Sequence, residues 1–279
     1  RTASYRKNYK KHNVGKNTGK YINLDFAYLQ ELSKIDMHLR FIIQRMCSDI
    51  EHALKVKLVG EIEISANDGY EFVHRFLSAY PKTLEKIEFQ SSSPYVSKLI
   101  NKYFTLEETV LPDTGRRLNK ITDFSMCPIW VLVEVLSFGD FINCYKLFYA
   151  DSDVEYISAN VLNLVKSLRN CCAHNNCIIH DLASNDAIAP RVLSTFVSSV
   201  TGISKDKRSK RLKCRPILEF VALLYVYDKV VTDSITNVRV KELKELLNVR
   251  FKQKSEYFTS NELLTSNYQF VYLLVDHYF

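Results

Sequence analysis

Residues 154–180 read "VEYISANVLNLVKSLRNCCAHNNCIIH". In the first half, Val154, Ile157, Val161, Leu164, Val165 and Leu168 recur at spacings of three and four. That period marks an amphipathic α-helix with one face turned into a core. Asp151 or Ser152 is placed to cap its start. The second half packs Arg169, Asn170, three cysteines and two histidines around the helix end. The helical period fixes the fold class, and the polar cluster that follows it raises the question of chemistry.

The same period runs through most of the chain. Leu24, Leu29, Ile35, Leu39, Ile42, Ile43, Met46, Ile50, Leu54 and Leu58 predict a long helix from Asn23 to about Glu63. Its opposite face carries Arg45, Asp49, Glu51, His52 and Lys55. Further helices are expected over Tyr70–Tyr80, ended by Pro81, and from Pro128 onward with a break near Gly139. Others should run from Pro190 to about Val200, from Pro216, and over roughly 237–251 and 261–279. Residues 81–127 read as an irregular insertion of short helices and loops. Seven glycines and six prolines supply too few turns for a sandwich or barrel. The expected fold is all-α.

The longest apolar runs, "IWVLVEVLSF" and "ILEFVALLYVY", each contain a Glu and fall short of the roughly 20 residues a membrane span needs. They read as core helices, with Trp130 and the other aromatics beside them. Seven cysteines, an odd number in a chain too long to need disulfide staples, favour a reduced, cytoplasmic protein. The chain opens on a basic, polar run and not on the apolar stretch of a secretory signal. It lacks an initiator Met, which leaves room for residues before Arg1.

The net charge of +7 is unevenly spread. Arg1, Arg6, Lys7, Lys10, Lys11, Lys16 and Lys20 stand among the first twenty residues with no acidic residue, so the rest of the chain is balanced. A second cluster, "SKDKRSKRLKCR" at 204–215, includes Lys207, Arg208, Lys210, Arg211 and Lys213, and a third holds Arg116, Arg117 and Lys120. These clusters imply a polyanionic partner, nucleic acid first and anionic membrane second. The organisation expected is a flexible basic arm at 1–20 and a single helical domain at 21–279, with a basic loop at 201–215.

Two chemistries suit the cluster at 169–180. Cys171, Cys172, His174, Cys177 and His180 are all zinc-ligand types, but structural zinc sites pair two knuckles, and Cys47, Cys127, Cys144 and Cys214 stand alone. Adjacent cysteines at the end of an apolar helix are more often small core residues, so no metal is expected. The second chemistry is acid–base. Asn170 and His174 are four apart and share a helix face, whereas Arg169 lies about 140° around the axis from His174 and must reach round. A guanidinium grips phosphate oxygens, and an imidazole exchanges protons near neutral pH.

"RNCCAH" resembles the R-N-x-x-x-H signature of HEPN ribonucleases, and the chain around it resembles the Abi-like abortive-infection family of AbiD and AbiF type. Three segments carry the resemblance: "IDMHLRFIIQRMCSDIEHALK" at 35–55, "PIWVLVEVLSFGDFINCYKL" at 128–147, and "LRNCCAHNN" at 168–176. Together they cover about 35–180. The resemblance implies a HEPN-type helical bundle with additional N-terminal and C-terminal helices, and metal-independent RNA cleavage without a cofactor. It further implies a part in phage defence, an antitoxin or guide-like RNA or a protein as restraint, and a homodimer that pairs two motifs.

Carried onto this chain, His174 becomes the acid–base group at the ribose 2′-OH or the leaving 5′-oxygen. Arg169 steadies charge developing on phosphorus, and Asn170 orients His174 or binds phosphate. Cys172 falls on the C-A-H position and belongs to helix packing. Glu51 is a lesser, accessory candidate, since an ion pair with Lys55 accounts for it better. RNA contacts fall to Arg6, Lys7, Lys10, Lys11, Arg116, Arg117, Lys207, Arg208, Lys210, Arg211 and Lys213. Two other readings compete: a non-catalytic HEPN RNA-binding or sensor module, and a membrane-surface effector. The second is disfavoured because residues 1–20 hold few apolar anchors.

Overall fold

The computed structural model describes residues 2–64, 69–89, 94–110, 117–150, 157–183 and 186–279. Twelve α-helices carry the described residues: α1 (Phe26–Ile64), α2 (Gly69–Ala79), α3 (Pro81–Phe89), α4 (Pro94–Tyr103), α5 (Ile129–Val135), α6 (Phe138–Tyr149), α7 (Ala159–Ala173), α8 (Arg191–Ser198), α9 (Lys205–Leu212), α10 (Arg215–Val230), α11 (Asp233–Glu245) and α12 (Glu262–Tyr278). One antiparallel hairpin, β1 (Thr105–Val110) with β2 (Arg117–Asp123), is the sheet content of the described residues. The fold is all-α, as the sparse turn residues predict. No described helix is long and apolar enough to cross a membrane.

The described residues fall into two compact units. Unit 2 comprises residues 51–159. Its core includes Leu54, Leu58, Phe76, Leu77, Val131 and Phe141, all without exposed surface. The range expected to be irregular, 81–127, yields α3, α4 and the hairpin. Pro81 opens α3 as well as closing α2, because a proline is tolerated in a helix's first turn, where its missing N–H has no partner to lose. The helix break expected at Gly139 falls two residues earlier. Ser137 caps α6, its Oγ accepting the Asp140 amide at 3.2 Å, and Gly139 sits inside the helix. Trp130 is 44% exposed and not a core residue, its ring edge-to-face with Tyr103.

Unit 1 comprises residues 1–50 and 160–279. Ile43, Met46, Ile50, Val161, Val165, Leu168, Leu223 and Leu224 lie at its centre, fully buried. The expected loop at 201–215 is instead helix α9, whose cap Ser204 accepts the Lys207 amide at 3.3 Å. The basic side chains had masked a short helix with a good N-cap.

The expected flexible arm is a docked segment. Residues Thr2–Asn8 form a 3-10 turn that buries Tyr5 and Asn8, and Tyr9 follows them into the core. Residues 10–22 then fold back on themselves, with Ile22 N–H donating to Lys10 C=O at 2.9 Å and His12 N–H to Lys20 C=O at 3.0 Å. The reversal needs left-handed backbone at Gly15 and Gly19, with φ of 85° and 83°. The lysines stay outside while the tyrosines, four apart, go in. That spacing is the signal the basic composition concealed.

Candidate active site

The hexapeptide 169–174 closes α7. His174 N–H donates to the Asn170 carbonyl at 3.0 Å, so these two residues lie one turn apart on one face. The helix then stops in a Schellman turn. Asn176 N–H reaches back to Cys171 C=O and Asn175 N–H to Cys172 C=O, both at 2.9 Å. Asn175 takes the left-handed conformation this turn requires, with φ 54°, one of the few that asparagine tolerates without a glycine's freedom. His174 thus stands at the C-cap, just past Ala173, with its side chain exposed. Its imidazole has no hydrogen-bond partner among the described residues.

The guanidinium of Arg169 bonds to its chain neighbour Asn170. Its Nη1 donates to Asn170 Oδ1 at 3.3 Å, and both side chains are half-buried. This bond assigns the carboxamide: oxygen toward arginine, NH2 outward as a free donor. Asn170 is therefore engaged with Arg169 and not with the imidazole. The last turn of α7 and its cap thus carry a guanidinium bonded to a carboxamide, and an exposed imidazole.

The support beneath this end comes from α1. Asp36, with no exposed surface, accepts the amides of Ile178 and Ile179, both at 2.8 Å. Its other oxygen pairs with Arg40, one helical turn along. Arg40 Nη1 also donates to the Asn176 carbonyl at 3.4 Å. One buried carboxylate and one arginine thus hold three residues of the segment leaving the motif, Asn176, Ile178 and Ile179. From the opposite direction Asn8 accepts the Leu182 amide and donates to the Ile179 carbonyl, both at 2.8 Å. Ser167, in the last turns of α7, donates to Glu219 Oε1 on α10 at 2.6 Å, and Arg215 pairs with the same oxygen. The motif stands on a turn anchored from three elements.

Asp36, Arg40 and Asn8 were missed as supporting residues. Asp36 sits four residues before Arg40 and beside Ile35, on the apolar side of α1, and a charge inside an apolar stripe was the available signal.

The remaining candidates fall as follows. Cys172 is buried, and burial pushes its thiol from 9.0 up to about 12. Cys171 is half-buried and also raised, mainly by desolvation. His180 directs Nδ1 at the Cys177 carbonyl at 2.6 Å, so that nitrogen carries the proton. No group of three or more His, Cys, Asp or Glu among the described residues is placed to hold a metal. Glu51 pairs with Lys55 at 3.1 Å, the ordinary account of an acidic residue four before a lysine. Of the basic residues, Arg6, Lys7, Lys10, Lys11, Lys207, Lys210 and Lys213 are exposed, and Arg208 and Arg211 are half-buried. Arg116 lies outside the described residues, and Arg117 opens β2.

Neither a search of curated proteins nor one of solved structures found a match. The family model described as Abi-like protein matches residues 1–180, from the docked N-terminal segment to the end of the turn that carries the motif. The match begins well before residue 35, where the sequence motifs first suggested the likeness, and it covers most of the chain. This chain belongs to the family of Abi-like proteins.

Proposed function

We propose that this Abi-like protein is a HEPN-type, metal-independent RNA endonuclease that acts in abortive infection as a phage-defence toxin. One observation carries the reading: Arg169, Asn170 and His174 stand at one helix end, with the guanidinium bonded to the carboxamide and the imidazole exposed. His174 takes the proton of a ribose 2′-OH as that oxygen attacks the adjacent phosphorus, or gives one to the departing 5′-oxygen. Arg169 and the outward NH2 of Asn170 supply donors to the phosphate oxygens as charge grows on them. The products are a 2′,3′-cyclic phosphate and a 5′-hydroxyl, and DNA, lacking the 2′-OH, survives.

A solitary imidazole supplies one proton-transfer group where the reaction calls for a base and an acid. A homodimer that sets two α7 ends face to face supplies both. An antitoxin RNA or protein that covers this end silences it. The competing reading, a non-catalytic RNA-binding or sensor module, predicts binding without turnover. The test is RNA incubated with purified protein in EDTA, wild type beside His174→Ala. Cleavage by the wild type alone supports the nuclease, and binding without cleavage by either supports the sensor.

A further inference from the structure

The proposed cleavage does not account for a cleft of about 450 Å³ in unit 1. Lys7 and Lys10 enter it from the N-terminal segment, Lys210 and Arg211 from α9, and Asn261 and Ser266 from the head of α12. Two basic clusters some two hundred residues apart in sequence therefore meet in one concavity. Folding a chain to bring like charges together costs free energy unless an anion joins them.

Two of these cations, Lys7 and Arg211, are poorly neutralised. Glu262 is the one carboxylate among the described residues of the wall. Lys7 has Asp181 at 3.8 Å, a loose pair with both side chains largely exposed. Arg211 is half-buried, and its Nη2 donates to a neutral hydroxyl, Ser266 Oγ, at 2.6 Å. No carboxylate among the described residues lies within ion-pair distance of it. Burial lowers its pKa, the expected response of a cation drawn from water without a counter-ion, although the nearby Glu262 charge works the other way. Asn261 donates to the Asn8 carbonyl at 3.1 Å, in a wall that also includes Tyr9, Ile22 and Leu263.

We infer that this cleft is a phosphate-binding site, filled by the backbone of a single-stranded nucleic acid or by a free phosphate group, and distinct from the bond-breaking residues. Four cations on the wall of one concavity match phosphate oxygens. The cleft also touches the motif's own segment, since its wall includes Asn8 and Ala183, and Asn8 holds Ile179 and Leu182. The site stands whether or not His174 cleaves RNA, because it concerns binding alone.

The experiment uses the full chain carrying His174→Ala, so that RNA stays intact. Lys10→Gln with Lys210→Gln empties the cleft of two cations. Lys16→Gln with Lys205→Gln removes the same charge from the same two segments outside it. Binding of a short labelled single-stranded RNA is followed by anisotropy across salt concentrations, and binding of inorganic phosphate by calorimetry. All four lysines are exposed, so melting temperatures should hold. The cleft pair should weaken RNA binding about tenfold and flatten the log–log salt slope by about 1.4, that is, about 0.7 for each lost contact. The outer pair should change affinity less than about twofold. Loss confined to RNA identifies the backbone as occupant, and matching loss of inorganic phosphate identifies a free phosphate site. Equal weakening by both pairs, weakening by neither, or no binding of either ligand to the parent overturns the inference.

Discussion

Asp36 is fully buried, and both of its carboxylate oxygens are bonded. Two backbone amides and an arginine converge on it, and all three partners lead to the turn behind His174. Asp36→Asn keeps the shape but puts an NH2 where one of those donors needs an oxygen, and it removes the charge opposite Arg40. Breaking a buried pair from one side costs about 3–5 kcal/mol. The variant should melt well below the wild type, and where it stays folded its RNA cleavage should fall with the turn displaced. A melting curve and a cleavage rate check both, and an unchanged melting temperature would remove Asp36 from its anchoring part. Lys55→Ala, by contrast, should leave the cleavage rate alone, because the Glu51–Lys55 pair is accounted for within α1.

At the scale of elements, α7 shows what sequence reading can and cannot reach. Its apolar stripe and the Asn170–His174 spacing were legible, because helix period and i,i+4 adjacency are local properties. Its start was misplaced: the expected cap at 151–152 lies outside the described residues, and the helix begins at Ala159. Its end was legible in principle, since Asn175 is the residue type that takes a left-handed C-terminal position. The anchoring by Asp36 was not, because hydrogen bonds across 142 residues of sequence leave no local period. Charge misled twice in the same way. Lysines and arginines solvate whatever they stand on, so the N-terminal segment and α9 read as loose. Their order rests on Tyr5, Tyr9 and Asn8 in one and on the cap Ser204 in the other.

The Schellman turn gives the element its own prediction. Asn175→Gly should keep stability within about 1 kcal/mol and keep cleavage, because glycine enters the left-handed region freely. Asn175→Val should cost about 1–2 kcal/mol or more and reduce cleavage by moving His174. Equal behaviour of the two variants in denaturant titration would mean that the turn does not position the histidine.

For the molecule as a whole, buried acids set a limit at alkaline pH. Burial pushes Cys127 and Cys172 from 9.0 up to about 12 and Tyr9 from 10.0 up to about 12. Above pH 9.0 the unfolded chain releases the thiol protons while the folded chain still holds them, so the unfolded state binds fewer protons and stability falls as pH rises. Tyr9 joins from pH 10.0, and the loss runs on toward about pH 12. Each group contributes up to about 1.4 kcal/mol per pH unit. Melting temperature should be level through neutral pH and drop steeply above about 9, and a level profile through pH 11 would mean that these groups are solvated. Assembly is the second property at this scale. Light scattering should give a dimer, and a strict monomer with full cleavage activity would show that one α7 end suffices.

The measurement that reaches the central claim is the chemistry of the cut ends. Mixed-sequence RNA and its DNA counterpart are incubated in EDTA with wild type and with His174→Ala, and the product termini are read by mass spectrometry. The account predicts RNA fragments ending in 2′,3′-cyclic phosphate and 5′-hydroxyl from the wild type and intact DNA. It also predicts a rate lower by about 10²–10⁴-fold for the variant, the range a general acid–base group contributes. Fragments ending in 3′-hydroxyl and 5′-phosphate, or cleavage undiminished in His174→Ala, would contradict it.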